Sequence, residues 1–217
     1  MSEIHRIKCG NVNCYIVENG TSGILVDTGK KEYVGKVIEA CKSYNIKLII
    51  LTHAHFDHAE NATEISNTLG VPIGMNENDS NLILSNTSQS LSAASILGKF
   101  VLSASLREFS IRAMPEFKPD LWLYDDDCLS DYGMDDARII TLPGHTAGSI
   151  GIDVDHKYLI VGDALMNMFY PTVSMLYHNR EHMLESAKKI SSTGSRTIYF
   201  GHGRPVSNRQ WGGLPVE

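Results

Sequence analysis

The sequence predicts a mixed α/β chain, and three observations carry that expectation. Strand-length apolar runs alternate with segments of helical spacing over residues 3–76, and strands return after Pro119. The stretch between, residues 77–118, loses the strand rhythm and reads as helical. Residues of metal-ligand type stand just past the C-terminal ends of several strand-like runs, where loops gather into sites.

Taken in order, RIKCGNVNCYIVENG and SGILVDTG are short β-rich runs separated by turn residues such as Asn19 and Gly20. KEYVGKVIEACKSY repeats Val34, Val37, Ile38 and Cys41 at helical spacing. KLIILT is a continuous apolar run of strand length, as expected of a strand buried on both faces. NATEISNTLG reads as a short helix ended by Gly70, and VPIGM as a brief strand. NDSNLILS and SLSAASILGKFVLSASLREFSIRAM read as helices. Strands resume at LWLY, ARIITL, SIGIDVD and KYLIVGD. REHMLESAKKISS is an amphipathic helix, and RTIYFGHG is the last expected strand. The whole of 1–217 is expected to form one domain with a helical insertion at about 77–118.

Composition is that of an ordinary globular chain, 42% hydrophobic and 20% charged, and the net charge of −6 argues against a nucleic-acid partner, which needs clustered Lys and Arg. The N-terminal MSEIHRIKCGNVNCY has no apolar core of a signal peptide, so the expected location is the cytoplasm. Cys9, Cys14, Cys41 and Cys128 form no C-x-x-C pair, which speaks against a disulfide framework or a zinc ribbon. The aspartates between Asp120 and Asp136 do not fit the spacing of a calcium loop and read as turn residues.

The segment LTHAHFDHAEN holds the densest chemistry. His53 and His55 are two apart, so on an extended backbone they point the same way and can share one ion. Asp57 and His58 follow where strand turns to helix and can serve a second ion. Downstream, TLPGHTAGSIGI places His145 after a strand and a Pro-Gly turn. YLIVGDAL places Asp163, and IYFGHGRPV places His202, each just past a strand.

These motifs together resemble the metallo-β-lactamase superfamily, whose pattern is H-x-H-x-D-H, then P-G-H-T-x-G-S, then G-D, then G-H-G; here they read HAHFDH, PGHTAGS, GD and GHG. NCYIV and ILVDTG match its opening strands, with Asp27 as its usual structural aspartate. The resemblance covers about residues 3–76 and 119–207 and implies an αββα four-layer sandwich with metals at one edge. It implies that His53, His55 and His145 hold one ion, that Asp57, His58 and His202 hold another, and that Asp163 bridges both. Two divalent metal ions are therefore expected, zinc first, with iron or manganese as alternatives. No Ser nucleophile elbow of the G-x-S-x-G type is present. The implied mechanism is a bridging hydroxide, oriented by Asp57, attacking a small-molecule substrate.

Within the superfamily, His55 argues against the flavodiiron branch, which has Glu there. Phe56 and the lack of a basic patch argue against the tRNA-processing branch. Glyoxalase II resembles the core motifs closely but adds a C-terminal glutathione-holding helical domain. The expected activity is hydrolysis of a thioester, lactone or other carboxylic ester. The alternative is a mononuclear iron dioxygenase of the persulfide type on the same fold. Tyr170 and Tyr177, in the loop after Asp163, are candidates for substrate contact. His178 and Arg204 stand near ligands in sequence only.

Residues 77–118 lie outside the resemblance. AASILGKFVLSASL carries one charge, Lys99, and apolar residues on nearly every side. It is too short for a bilayer, which needs about 20 residues. The options are a cap over the metal edge, a homodimer interface or a membrane-facing patch. The cap is the expectation, with Leu97, Phe100, Val101 and Phe109 as its apolar lining and Arg107, Arg112 and Lys118 as cations near it.

Overall fold

Alternation along the first strands decides what each sheet face buries. In the computed structural model, which describes residues 1–112 and 114–209, β1 (Glu3–Cys9), β2 (Val12–Glu18) and β3 (Gly23–Val26) run as an antiparallel meander. The chain then passes through α1 (Val34–Cys41) to β4 (Ile46–Ile50), through α2 (Phe56–Ala59) and α3 (Ala62–Leu69) to β5 (Ile73–Met75), and through α4 (Ser80–Leu84) and α5 (Ile96–Ile111) to β6 (Leu121–Trp122). β3 to β6 are parallel neighbours, and each connection is a helical crossover, as parallel pairing requires. The six strands form one sheet in sequence order.

A second sheet follows. β7 (Cys128–Leu129), β8 (Met134–Thr141), β9 (Ile150–Val154) and β10 (Tyr158–Gly162) are antiparallel neighbours. The short pair β11 (Leu165–Met166) and β12 (Thr172–Val173) stands apart. α6 (Arg180–Ser192) then crosses over to β13 (Arg196–Phe200), which is parallel to β10, and β14 (Val206–Arg209) pairs on its outer side. RTIYFGHG is thus not the final strand, because the chain turns after Gly203 and pairs back on β13.

Three apolar clusters make four layers. Tyr15, Val17, Ile24, Val26, Leu48 and Ile50 face Ile139, Ile150, Ile152, Val154 and Ile160 between the sheets. The alternate residues Cys14, Ile16, Leu25 and Ile49 meet Val37, Cys41 and Ile65 of α1 and α3. On the far side, Leu159, Val161, Ile198 and Phe200 meet Met183, Ala187 and Ile190 of α6. This is the αββα sandwich. β2 is buried from Val12 to Val17 because both of its faces are covered. Each such aliphatic side chain contributes about 1.5–3 kcal/mol.

Gly70 ends α3 in the left-handed conformation, as its sequence predicts. The helix expected from Ser90 onward begins only at Ile96, where Ser95 Oγ accepts from Gly98 N at 2.9 Å. Upstream, Ser92 exchanges backbone hydrogen bonds with Tyr177 at 2.8 and 3.0 Å, which holds the chain extended there. The aspartate-rich stretch shapes turns: Asp127 accepts from Tyr124 N, and Asp125 from Thr141 N. All four cysteines are free thiols. No helix among the described residues is long and apolar enough to cross a membrane.

Gly144 precedes His145 with φ +137°, and a Cβ there would overlap the backbone of Met183 in α6. Gly144→Ala is expected to cost more than about 2 kcal/mol, read as a lower urea midpoint at unchanged slope.

Candidate metal centre

The first group of ligand-type side chains is built where β4 ends. Asp27, just past β3 at φ 60°, accepts from Thr52 N at 2.7 Å, Thr52 Oγ1 at 2.9 Å and His58 Nδ1 at 2.8 Å. A non-glycine residue in that conformation persists only where its surroundings over-determine it, and three donors on one buried carboxylate do so. His55 is still extended, with φ −72° and ψ 147°, before α2 turns Asp57 and His58 back over it. Asn61 fixes the facing loop by donating to the carbonyls of Thr28, Gly29 and Lys30.

Hydrogen bonds assign the tautomers of four imidazoles. His58 Nδ1 donates to Asp27, His145 Nδ1 to Leu176 O at 2.8 Å, and His202 Nδ1 to Asn11 O at 2.9 Å. Thr52 Oγ1 gives its own proton to Asp27 and so accepts from His53 Nδ1 at 3.1 Å. Each Nε2 is thereby left free of the backbone and turned toward the neighbouring ligand-type groups, where it can serve a metal once any proton on it is lost, the arrangement typical of metal-binding histidines. His55 differs: its Nδ1 lies 3.0 Å from His145 Nε2. Two lone-pair nitrogens at that spacing suit two corners of one tetrahedral ion.

Asp163, past the end of β10, lies between the two groups. Its Oδ2 is 3.7 Å from His145 Nε2 and 3.2 Å from His202 Nε2, and its Oδ1 is 3.6 Å from His58 Nε2. Asp57 Oδ2 is 3.6 Å from His202 Nε2 and 3.9 Å from His58 Nε2. The sets His53–His55–His145, His53–His58–Asp163 and Asp57–His58–His202 each present donor atoms within 4.8 Å of one another. The Nε2 atoms of His53 and His58 and Asp163 Oδ1 are buried with no hydrogen-bond partner. Buried polar atoms are rarely left unpartnered, so these orphans fit a cation shared among them. All seven sequence-predicted ligand positions therefore meet at one edge of the sandwich.

The electrostatics agree. Burial, with the neighbouring imidazoles, holds His53 and His55 well below the ordinary histidine value. Burial also opposes charge on His58, but Asp163, Asp27 and Asp57 outweigh it and push the ring up to about 10. His202 is raised against its own burial, chiefly by Asp163. Asp163 is held well below the carboxylate range, against its burial, by His202 and His58. The positive charge that these carboxylates favour thus falls on His58 and His202 rather than on His53 and His55.

A cavity of about 90 Å³ opens onto these groups, with Asp57, His145, Asp163 and His202 on its floor and Leu91, Val101, Phe109 and Leu176 among its apolar walls. α5 thus covers the metal edge. Phe109 stacks 5.1 Å from His55 and 5.6 Å from Phe56. Of the expected apolar lining, Val101 and Phe109 face the cavity, whereas Leu97 is not among its walls and Phe100 is 72% exposed on the outward side of the helix. Tyr170 and Tyr177 are not among the cavity's walls: Tyr170 is 44% exposed, and Tyr177 packs against the cluster around α6 and pairs with Ser92. Salt bridges tether the helix, Lys30–Glu108 at 3.2 Å and Arg112–Glu60 at 3.2 Å, so Arg112 is engaged in holding the cap.

With the site in place, comparison with known proteins is direct. Residues 7–202 match the sequence profile of the metallo-beta-lactamase superfamily. This chain belongs to that superfamily. Most of its members are metallo-hydrolases, and the fold binds divalent metals. The hydroxyacylglutathione hydrolase GloC of Haemophilus influenzae is 28% identical over 167 residues, 75% of this chain and 71% of its own length. Among solved structures, the B3 metallo-beta-lactamase BLEG-1 superposes with TM-score 0.74 at 21% identity, covering 94% of this chain and 93% of its own. TTHA1623, solved in a di-iron-bound form, gives 0.68 at 20% identity, covering 94% of each chain.

Sequence reasoning missed the buried supports of this superfamily site. Asp79 accepts from Ala54 N at 3.2 Å, Gly148 N at 2.7 Å, Thr146 Oγ1 at 2.7 Å and Gln89 Nε2 at 3.0 Å. It ties the His53–His55 segment to the His145 loop and to the insertion. Burial raises its carboxyl group despite these donors. Asn86 supports Phe56 N at 2.6 Å and bonds Ala54 O. In NENDSN, nothing local separates Asp79 from a surface turn residue. Asp79→Ala is expected to cost about 3 kcal/mol by leaving donors unpaired, and to weaken metal binding about tenfold, with chelator competition as the check. Unchanged metal affinity would show that the ligands hold their geometry without it.

Proposed function

We propose that this chain is a metal-dependent hydrolase with a binuclear centre, acting on a thioester, lactone or other carboxylic ester. One observation carries the reading: Asp163 stands between two ligand groups, His53–His55–His145 and Asp57–His58–His202, whose lone pairs converge on it. Divalent ions held there supply Lewis-acid polarisation of a carbonyl oxygen and activation of water near neutral pH. The chain's own residues do the rest. Asp57, with 17% of its side chain exposed, faces the cavity and can accept a hydrogen bond from the attacking water, which orients it. Asn11 O, Leu176 O, Thr52 and Asp27 hold the imidazoles in one tautomer. Val101, Phe109 and Leu176 shield the reacting group from bulk water and receive an apolar acyl portion.

Apolar walls at Leu91, Val101, Phe109 and Leu176 suit the apolar portion of a carboxylic ester or thioester. Zinc is the first choice of metal for a set of imidazoles and carboxylates, with iron or manganese as alternatives.

Metal analysis of purified variants tests the centre. Asp163→Ala is expected to lower occupancy at both positions and reduce kcat by more than about a hundredfold. His202→Ala is expected to retain one ion per chain. One iron per chain with oxygen consumption in the unaltered protein would support a mononuclear dioxygenase instead. For the cap, Phe109→Ala is expected to change the ratio of kcat/KM between long and short acyl substrates about tenfold. Phe100→Ala is expected to leave that ratio within about twofold, since surface changes are nearly neutral.

A further inference from the structure

The metal cleft continues beyond Asn11. Asn11 and Met168 line both the cavity and an open groove of about 590 Å³ beside it. The groove's charged residues among those described are Arg6, Lys8 and Arg204, and no carboxylate of the described residues lines it. Arg6 and Lys8 are two apart on β1 and share one face, while Ile7 and Cys9 point into the core. Lys36, outside the groove's lining, adds a fourth cation nearby, with its Nζ donating to Lys8 O at 2.6 Å.

The groove has a fixed frame. Arg6 Nε donates to Asn13 Oδ1 at 2.8 Å, and Asn13 Nδ2 donates to Phe200 O and Gly203 O, on either side of His202. Asn167 Nδ2 holds Arg204 O at 2.8 Å, and Asn167 N holds His202 O at 2.9 Å. The loop that presents His202 to the metal centre therefore also presents Arg204 to the groove.

A solvated basic face is the ordinary role for such residues. Two features set this one apart. The chain carries 25 acidic and 19 basic residues, so a cluster of four cations without an interleaved acid runs against its composition. Across the cleft, Lys30 and Arg112 are paired with Glu108, Glu60 and Glu32, whereas none of Arg6, Lys8, Lys36 and Arg204 has an ion pair among the described residues. Unpaired guanidinium and ammonium groups in a groove that opens into a metal site are placed to receive an anion.

We propose that this groove binds an anionic arm, carboxylate or phosphate, of the substrate whose carbonyl reaches the metal centre. The proposal rests on the hydrolase reading above and narrows it to esters and thioesters of an anionic carrier, with the acyl portion toward Val101 and Phe109 and the carrier across Asn11 toward Arg6, Lys8 and Arg204.

The test uses one acyl group on three thiols: N-acetylcysteamine (neutral), glutathione (carboxylate) and coenzyme A (phosphate). With the metal-loaded full chain, KM is expected to be about tenfold lower for one or both anionic carriers than for the neutral one. The Lys8→Gln, Arg204→Gln double variant should remove that advantage, leave kcat within about twofold and leave the neutral thioester unaffected. Which carrier gains identifies carboxylate or phosphate as the anion. Equal KM for all three carriers, or an advantage that survives in the variant, overturns the proposal. If no thioester is turned over, the hydrolase reading fails for thioesters, and the groove is judged separately. In that case, the S-methyl thioethers of the three thiols are titrated calorimetrically. Binding of an anionic thioether that the double variant weakens about tenfold supports the groove, and binding that ignores charge or the variant refutes it.

Discussion

The site depends on one buried carboxylate. Asp27 takes three donors from Thr52 and His58, and through the Thr52 hydroxyl it also fixes the proton on His53. It does so from a left-handed backbone conformation unfavourable for aspartate, so the surrounding sheet supplies the energy that keeps it there. Without that carboxylate, His53 and His58 would be free to choose tautomer and rotamer, and the shared lone-pair geometry would be lost. The central strands β3 and β4 are the rigid base that makes this possible, since every residue of them but Lys47 is buried.

Packing and site chemistry pull in opposite directions at this edge. Five histidines and Asp163 are nearly or fully buried, and several of their polar atoms have no partner within the protein. Such groups destabilise a fold unless they are partnered, so an ion bound among them would relieve that cost as well as gain from the ligand count. The apolar layers on either side, with Leu48, Ile50, Ile152 and Phe200 fully or almost fully buried, supply the stability against which that strain is held.

Much of this was legible in the sequence, for physical reasons. The ligands sit at strand ends because loops at one edge of a sandwich converge there, and HAHFDH encodes its local geometry in a few consecutive residues. Continuous apolar runs of strand length placed β4 and β10 correctly, whereas RIKCGNVNCYIVENG divides at Gly10 and Asn11 into β1 and β2. What escaped depends on contacts distant in sequence. The start of α5 is set by the pairing of Ser92 with Tyr177, and no local pattern in SLSAAS announces it. Phe100 and Phe109 have the same apolar character, and only the helix's seating on His55 and Phe56 decides which of them faces the cavity. Asp79 resembles its polar neighbours until four donors from three separate segments close around it.

The insertion leaves and rejoins the sheet at adjacent parallel strands, with Gly74 paired to Leu121 and Met75 to Trp122. Its two ends are therefore held side by side by the scaffold itself. Lengthening a loop between fixed ends costs only about 0.6 kcal/mol for each doubling. Past the supports Asp79, Asn86 and Gln89, the stretch from Ala93 to Asp120 can accordingly be exchanged, shortened or elaborated while the ligand-bearing strands keep their register. That makes it a natural graft point, at which descendants of this scaffold, or a protein engineer, could install a new roof over the same floor.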